Sequence, residues 1–208
     1  MIPVCTHFRD LNRDCPKDNF LTPFIDHILD ECVGSKVFSF MDGFSRYNQI
    51  LINLEDQHKT AFIFPWCTFS YQKIPFDLKN VEASFQWAMT SAFHDLKMII
   101  EVYLDDLATH SHLRVCHPYH VRLMFERCHH YQVHLNPHKC IFCVTVGRLL
   151  GFIVSKEVIK FDPLKVEAIL QLSPPRNIRH LQCLQGMENF LRRFVVNFDV
   201  SLEEGHSL

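Results

Sequence analysis

Three carboxylates stand where an ionised side chain is expensive. Asp42 ends the apolar run Val37-Phe38-Ser39-Phe40-Met41, with Gly34 before the run and Gly43 directly after the acid. Asp105 and Asp106 sit side by side between two strand-like runs, residues 98–104 and 107–110. Charged acids among apolar strands cost several kcal/mol unless they are paired or bound to a metal. Carboxylates so placed can hold two divalent ions roughly 3.5–4 Å apart, stabilising the attacking and leaving oxygens of an in-line phosphoryl displacement. Hard oxygen ligands with open water positions favour Mg2+. The competing reading is a solvated turn, in which adjacent Asp residues only favour unusual backbone.

Hydrophobic periodicity supplies the elements that must position these acids. The opening residues 1–23, rich in Asp, Asn, Arg and Pro, read as a short strand followed by loop. Thr22 as N-cap, Pro23 at the first helical position and apolar residues at 24, 25, 28, 29 and 32 predict a helix stopped by Gly34. Residues 37–42 read as a buried strand, and residues 47–52, 60–64 and 69–74 as three more that form an antiparallel meander. Residues 80–96 turn helical, with Val81, Phe85, Met89, Ala92 and Phe93 on one packed face. Residues 98–110 make a hairpin carrying its charge at the tip. A helix over 117–132, strands over 139–144 and 148–154, a helix from Asp162-Pro163 to about 172 and a last helix over about 178–196 complete the chain.

The 208 residues, 48% hydrophobic and 21% charged with only 6 Gly, fit a folded chain of one substantial domain or two small subdomains. A formal charge of -2 lacks the basic excess of a protein that grips phosphates, and taken alone argues against a polymerase, nuclease or DNA-binding factor. That average hides an asymmetry: residues 1–110 carry 9 Lys/Arg against 15 Asp/Glu, whereas residues 111–208 carry 12 against 8. No stretch approaches 18 apolar residues and no export signal opens the chain, so neither membrane nor secretion is expected. Nine scattered cysteines without framework spacing then imply reduced thiols in an intracellular compartment, cytoplasmic or nuclear.

The string Tyr103-Leu104-Asp105-Asp106, preceded by Phe40-Met41-Asp42-Gly43-Phe44-Ser45-Arg46-Tyr47, resembles the palm motifs of reverse transcriptases. Further blocks follow in the family's order: Phe8-Arg9-Asp10-Leu11-Asn12, Lys59-Thr60-Ala61-Phe62, Pro75-Phe76-Asp77-Leu78-Lys79-Asn80 with Phe85-Gln86, Leu135-Asn136-Pro137-His138-Lys139-Cys140, and Leu150-Gly151-Phe152. The resemblance runs from residue 4 to about residue 198 and looks closest to Gypsy-type LTR retrotransposons of plants.

It implies an α+β right-hand polymerase fold. Fingers fall at 1–17 and 50–80, palm at 18–49 and 81–157, and the start of a helical thumb or connection at 158–208. By the same resemblance, Asp42, Asp105 and Asp106 are the catalytic acids that hold two Mg2+ ions, with Mn2+ as a substitute. Tyr47 stacks under the incoming sugar, Phe76 lies with it in the nucleotide site, and Lys139 stands close to the leaving pyrophosphate as a catalytic group for charge neutralisation or proton donation. Gln86, on a helix beneath the templating region, and the primer-holding Leu150-Gly151-Phe152 are expected at the nucleic acid. Arg176, Arg179, Arg192 and Arg193 in the basic half are candidate phosphate contacts. The partners implied are an RNA or DNA template with primer and dNTPs, within a polyprotein that also carried ribonuclease H and integrase regions.

Departures from the family pattern point to a truncated or degenerate polymerase. Asp77 and Val158 stand where the family usually has Gly, Arg46 and Glu82 where small residues or Pro are usual, and His7 where Asp is usual. The basic residue that clamps the triphosphate falls about at Pro3. Two other readings compete: a nucleic-acid-binding relic without catalysis, and a zinc module built on Cys140-Ile141-Phe142-Cys143 with Cys128, His129, His130, His134 and His138 nearby. Strand alternation turns Cys140 and Cys143 to opposite faces, and a second Cys pair at zinc spacing is missing.

Overall fold

The polar opening segment folds as a helix, α1 (Arg9–Asp14), not as a strand. Its side chains explain the difference. Arg13 pairs with Asp10 one turn away at 3.4 Å, and Asn12 ties α1 to a distant loop, accepting from the Lys79 N–H at 2.8 Å and donating to the Asp77 carbonyl. The next helix, α2 (Ile25–Cys32), starts after Phe24 and buries Ile28, Leu29 and Cys32. Gly34, at φ +78°, turns the chain out of it.

This description comes from a computed structural model and covers residues 6–172 and 174–191. The chain divides into two units, residues 1–160 and 161–208.

The strand ending in Asp42 is β1 (Val37–Asp42), buried along its length until the acid itself. The expected meander is not formed. Residues 46–49 make one turn of 3-10 helix, and β2 (Phe62–Phe64) and β3 (Cys67–Phe69) pair as a separate two-stranded antiparallel hairpin. Ser45 at φ +57° bends the chain directly after β1, and the Gln49 amide bonds the carbonyls of Phe44 and His134, so the apolar run 47–52 keeps only an isolated antiparallel bridge, Leu51 opposite Lys73, with the Ile52 N–H on the Gln72 carbonyl at 2.9 Å and the Ile74 N–H on the Ile50 carbonyl at 3.0 Å. Phe62, Phe64, Phe69 and the neighbouring Tyr71 form a chain of ring contacts at 5.1–5.9 Å around this largely exposed hairpin.

Helix α3 (Val81–Ala92) leads to β4 (Ile100–Tyr103), β5 (Asp106–Ser111), α4 (His117–His130) and β6 (Ile141–Val144). One sheet results, in the order β4-β5-β1-β6. Strand alternation gives it two different faces. On one face Met41, Ile100, Val102 and Leu107 pack against Phe85, Met89, Ala92 and Phe93 of the α3 region and Met124 and Cys128 of α4, forming the main core. Each such fully buried side chain contributes about 1.5–3 kcal/mol. The other face carries Phe38 and Phe40, stacked at 5.9 Å, and ends in Asp42 and Asp106.

A second sheet, β7 (Val146–Leu149), β8 (Phe152–Ser155) and β9 (Ile159–Phe161), packs its first strand on β1. Gly147 makes that approach possible: a Cβ there would lie 2.0 Å from the Phe40 ring. In the second unit, Asp162 caps α5 (Pro163–Leu170) by accepting from the Leu164 N–H at 3.1 Å, with Pro163 opening the helix as expected. Helix α6 (Ile178–Leu191) follows, with Asn177 accepting from the His180 N–H at 2.9 Å. No helix of the described residues is long and apolar enough to cross a membrane.

Several buried polar groups of the first unit are bonded to one another, while Thr109 Oγ1 and His110 Nε2 find no hydrogen-bond partner among the described residues. His117 bridges Ser39 at 2.8 Å and Ser111 at 2.7 Å, and His120 reaches Ser111 at 2.8 Å. His110, held by Ser35 at 3.0 Å, is pushed down to about 4 by burial and, less, by neighbouring His112, His120 and His117.

Candidate active site

Register brings the three acids to one end of the sheet. Asp42 lies directly opposite Asp106 across β1 and β5, and Tyr103 opposite Asp106 across β4 and β5. Leu104 and Asp105 are therefore the two loop residues of a tight hairpin. The Gly43 N–H bonds the Asp105 carbonyl at 2.7 Å, tying the hairpin tip to the residue after Asp42. Asp105 is buried, whereas the Asp42 carboxylate keeps 19% of its exposure. Among the described residues, no three His, Cys, Asp or Glu side chains already converge as a closed metal cluster.

Lys139 reaches Asp42 Oδ2 with its Nζ at 3.1 Å. Its backbone is stitched in place: the Asn136 N–H bonds the Asp42 carbonyl at 2.8 Å, Lys139 N–H bonds Asn136 at 3.1 Å, and Phe44 N–H bonds His134 at 2.8 Å. Gln49 closes the same corner, accepting from the His134 N–H at 2.6 Å. Sequence reasoning missed Gln49 and Asn136 as organisers. Their signal was present in outline, as amides flanking turns on either side of the acid-bearing strand.

Tyr47 and Phe76 meet edge to face, ring centres 5.4 Å apart, with Tyr47 half-buried against the main core and Phe76 exposed. Beside them a cleft of about 350 Å3 is lined by Tyr47, Asp77, Leu78, Lys79, Val81 and Glu82. Asp77 adopts φ +73°, the conformation a Gly takes most easily, and its carboxylate accepts from the Phe8 N–H at 3.2 Å and contacts His7 Nδ1 at 3.1 Å. The His7 contact, then the Phe8 bond, hold that carboxyl below its ordinary range. Val158, the other position where Gly was expected, is not left-handed; Ser155 closes its turn, the Oγ donating to the Val158 carbonyl at 2.8 Å.

Two residues assigned to the nucleic-acid surface are interior instead. Gln86 has 0% exposure and its amide is spent on the backbone of β4 and the hairpin. Phe152 is 2% exposed, because the hairpin that carries it turns the ring into the core. Leu150 and Gly151, both at positive φ, form the two-residue turn between β7 and β8, the pattern of a type I′ hairpin. Arg176 and Arg179 are exposed in the second unit, while Pro3, Arg192, Arg193 and the Arg46 side chain lie outside the described residues. Cys140 donates to the Asn136 carbonyl at 3.1 Å, and exposed Cys143 sits in left-handed backbone with its N–H on Ser39 Oγ, so the C-x-x-C pair is used separately.

The family model described as reverse transcriptase (RNA-dependent DNA polymerase) matches residues 2–154. A retrovirus-related Pol polyprotein from transposon opus of Drosophila melanogaster is 30% identical over 92% of this chain and 19% of its own length. The transposon Tf2-3 polyprotein of Schizosaccharomyces pombe is 27% identical over 90% of this chain and 14% of its own. The chain thus spans about a fifth or less of these curated relatives. Among solved structures, a foamy viral protease-reverse transcriptase in complex with double-stranded DNA aligns at TM-score 0.83 and 22% identity, covering 97% of this chain and 35% of that one. The same viral protein in complex with an RNA/DNA hybrid aligns at TM-score 0.79 over 97% of this chain and 27% of that one. The shared fold is the right-hand polymerase fold, and the chain belongs to the reverse transcriptase (RNA-dependent DNA polymerase) family.

Proposed function

We propose that this chain is the polymerase portion of a Gypsy-type LTR retrotransposon polyprotein, of the plant type by its motif blocks, and that it copies an RNA or DNA template from a primer. The observation that carries the reading is the register that puts Asp42, Asp105 and Asp106 at one end of the sheet, with Lys139 on the Asp42 carboxylate. The donor set suits a hard divalent cation: carboxylates only, one of them already bearing the positive Lys139 ammonium. Asp42, Asp105 and Asp106 would hold two Mg2+ ions. When bound, such ions supply charge stabilisation to the attacking and leaving oxygens of nucleotidyl transfer.

The chain's own groups do the rest. Lys139, fixed by the 134–139 loop, places a proton donor and positive charge where a leaving pyrophosphate departs. Tyr47, steadied by Phe76, offers a flat wall to the nucleotide sugar. Exposed Arg176 and Arg179 serve phosphate contacts. Without a base at Pro3 to clamp the triphosphate, extension by this chain is weak. The test is primer extension on RNA and DNA templates with dNTPs and Mg2+ or Mn2+, run beside Asp42→Asn. Extension lost in Asp42→Asn supports the reading. Template binding without extension in either protein favours the non-catalytic relic.

A further inference from the structure

We infer that Gln86 is a positioning residue whose buried amide stands in for a missing neighbouring strand and locks the hairpin that presents Asp105. This rests on the polymerase reading only for its effect on turnover; the lock itself is a matter of hydrogen bonds.

β4 is the outermost strand of the palm sheet, so one row of its backbone groups has no strand partner. The fully buried Gln86 of α3 lies against backbone groups of β4 and its hairpin, and an apolar side chain there would leave those groups unsatisfied, which is costly. Gln86 answers with the two functions a passing peptide would offer. Its Oε1 accepts from the Leu104 N–H at 2.6 Å, and its Nε2 donates to the Val102 carbonyl at 3.3 Å. The second amide hydrogen goes to Thr90 Oγ1 at 3.0 Å, one turn along α3, which fixes the rotamer.

The bonded residue Leu104 sits at φ +52°, a left-handed conformation that only the surroundings can hold for a side chain of this size. It immediately precedes Asp105, so the orientation of its peptide sets where the Asp105 side chain starts. The other side of the tip is fixed by Gly43 N–H on the Asp105 carbonyl at 2.7 Å. Gln86 is the only side chain among the described residues for which a hydrogen bond to the Leu104 N–H is present.

The experiment compares the 208-residue chain with Gln86→Met, which keeps volume and removes both functions, and Gln86→Glu, which keeps the acceptor for Leu104. Met89→Val, a core change on the same helix, serves as a control for lost stability. Hydrogen exchange at the Leu104 amide, relative to global unfolding, and Mn2+ affinity are read in all four proteins. If wild type extends primers, kcat and KM for dNTP are read as well. Gln86→Met should lose at least about tenfold in Leu104 protection and Mn2+ affinity, the size of one lost buried hydrogen bond, with kcat falling and KM little changed. Gln86→Glu should retain Leu104 protection, and Met89→Val should retain both readouts. Unchanged Leu104 protection in Gln86→Met, or equal loss in Met89→Val, overturns the lock. A wild type that binds Mn2+ but never extends primers sinks the polymerase reading and leaves the exchange result to decide this one.

Discussion

The palm end of the first unit and the β2–β3 hairpin solve the same problem, holding a short antiparallel pair together, by opposite means. At the palm end, backbone and amide groups are committed: Gln49, Gln86, Asn136 and Gly43 each fix a turn next to an acid. The β2–β3 hairpin has little beneath it, with Ile63 84% and Trp66 79% exposed, and is held by rings leaning on rings. No charged residue lies between Lys59 and Lys73. The difference teaches that precise placement here comes from satisfied polar groups over a packed core, whereas aromatic content alone yields a pairing with a bare surface.

Changes at the palm end should therefore cost most. Asp42→Asn keeps the shape and removes a carboxylate, and primer extension should fall at least about a thousandfold. Retained extension would separate the acids from the chemistry. Gly147→Val forces a side chain into the Phe40 ring, and urea unfolding should show a loss of about 3 kcal/mol. A smaller loss would mean that the second sheet yields where the comparison holds it rigid.

A third change works through pH. Glu101, between Ile100 and Val102 on β4, is pushed up to about 7 by burial, then by Glu31, with Lys97 opposing. A carboxyl whose folded value is raised adds stability below its unfolded value, and that stability drains as pH rises through 7. Glu101→Gln should match wild type near pH 4.5 and exceed it at pH 8 by about 1 kcal/mol after solvent screening. His110 works the other way: its lowered value gives stability present above 6.5 that is lost as pH falls toward 4. A wild-type stability curve that is flat on the acid side would remove His110 from the account.

The smallest effect belongs to the hairpin. Ile63→Thr with Trp66→Ser should change the urea unfolding free energy by less than about 0.5 kcal/mol, because little is buried. A large loss of stability there would erase the contrast between the two regions.

Much of the palm was legible in the chain. The 3.6-residue stripe of α3 and the paired runs around Tyr103-Leu104-Asp105-Asp106 are local signals, as is the Asp162-Pro163 helix start in the second unit, and the folded elements sit on them. What escaped depends on contacts between distant residues. Residues 47–52 carry strand-like apolarity, yet Gln49 and the left-handed Ser45 hold 46–49 in a 3-10 turn and leave only Leu51 to bridge Lys73. The segment before Cys15 looked like loop because its partners lie at 77–79. Gln86 was a near miss: with Met89 and Phe93 it falls at spacings of three and seven, on the buried face, where an amide must have a backbone to serve.

Two departures from the family pattern acquire a new meaning from one contact. His7 replaces a usual Asp and Asp77 replaces a usual Gly, and each alone reads as wear. In the folded chain they touch at 3.1 Å across seventy positions, so the acid missing from one side of the junction is present on the other. The two positions are thus one contact in this chain, and a change at either is felt at the other.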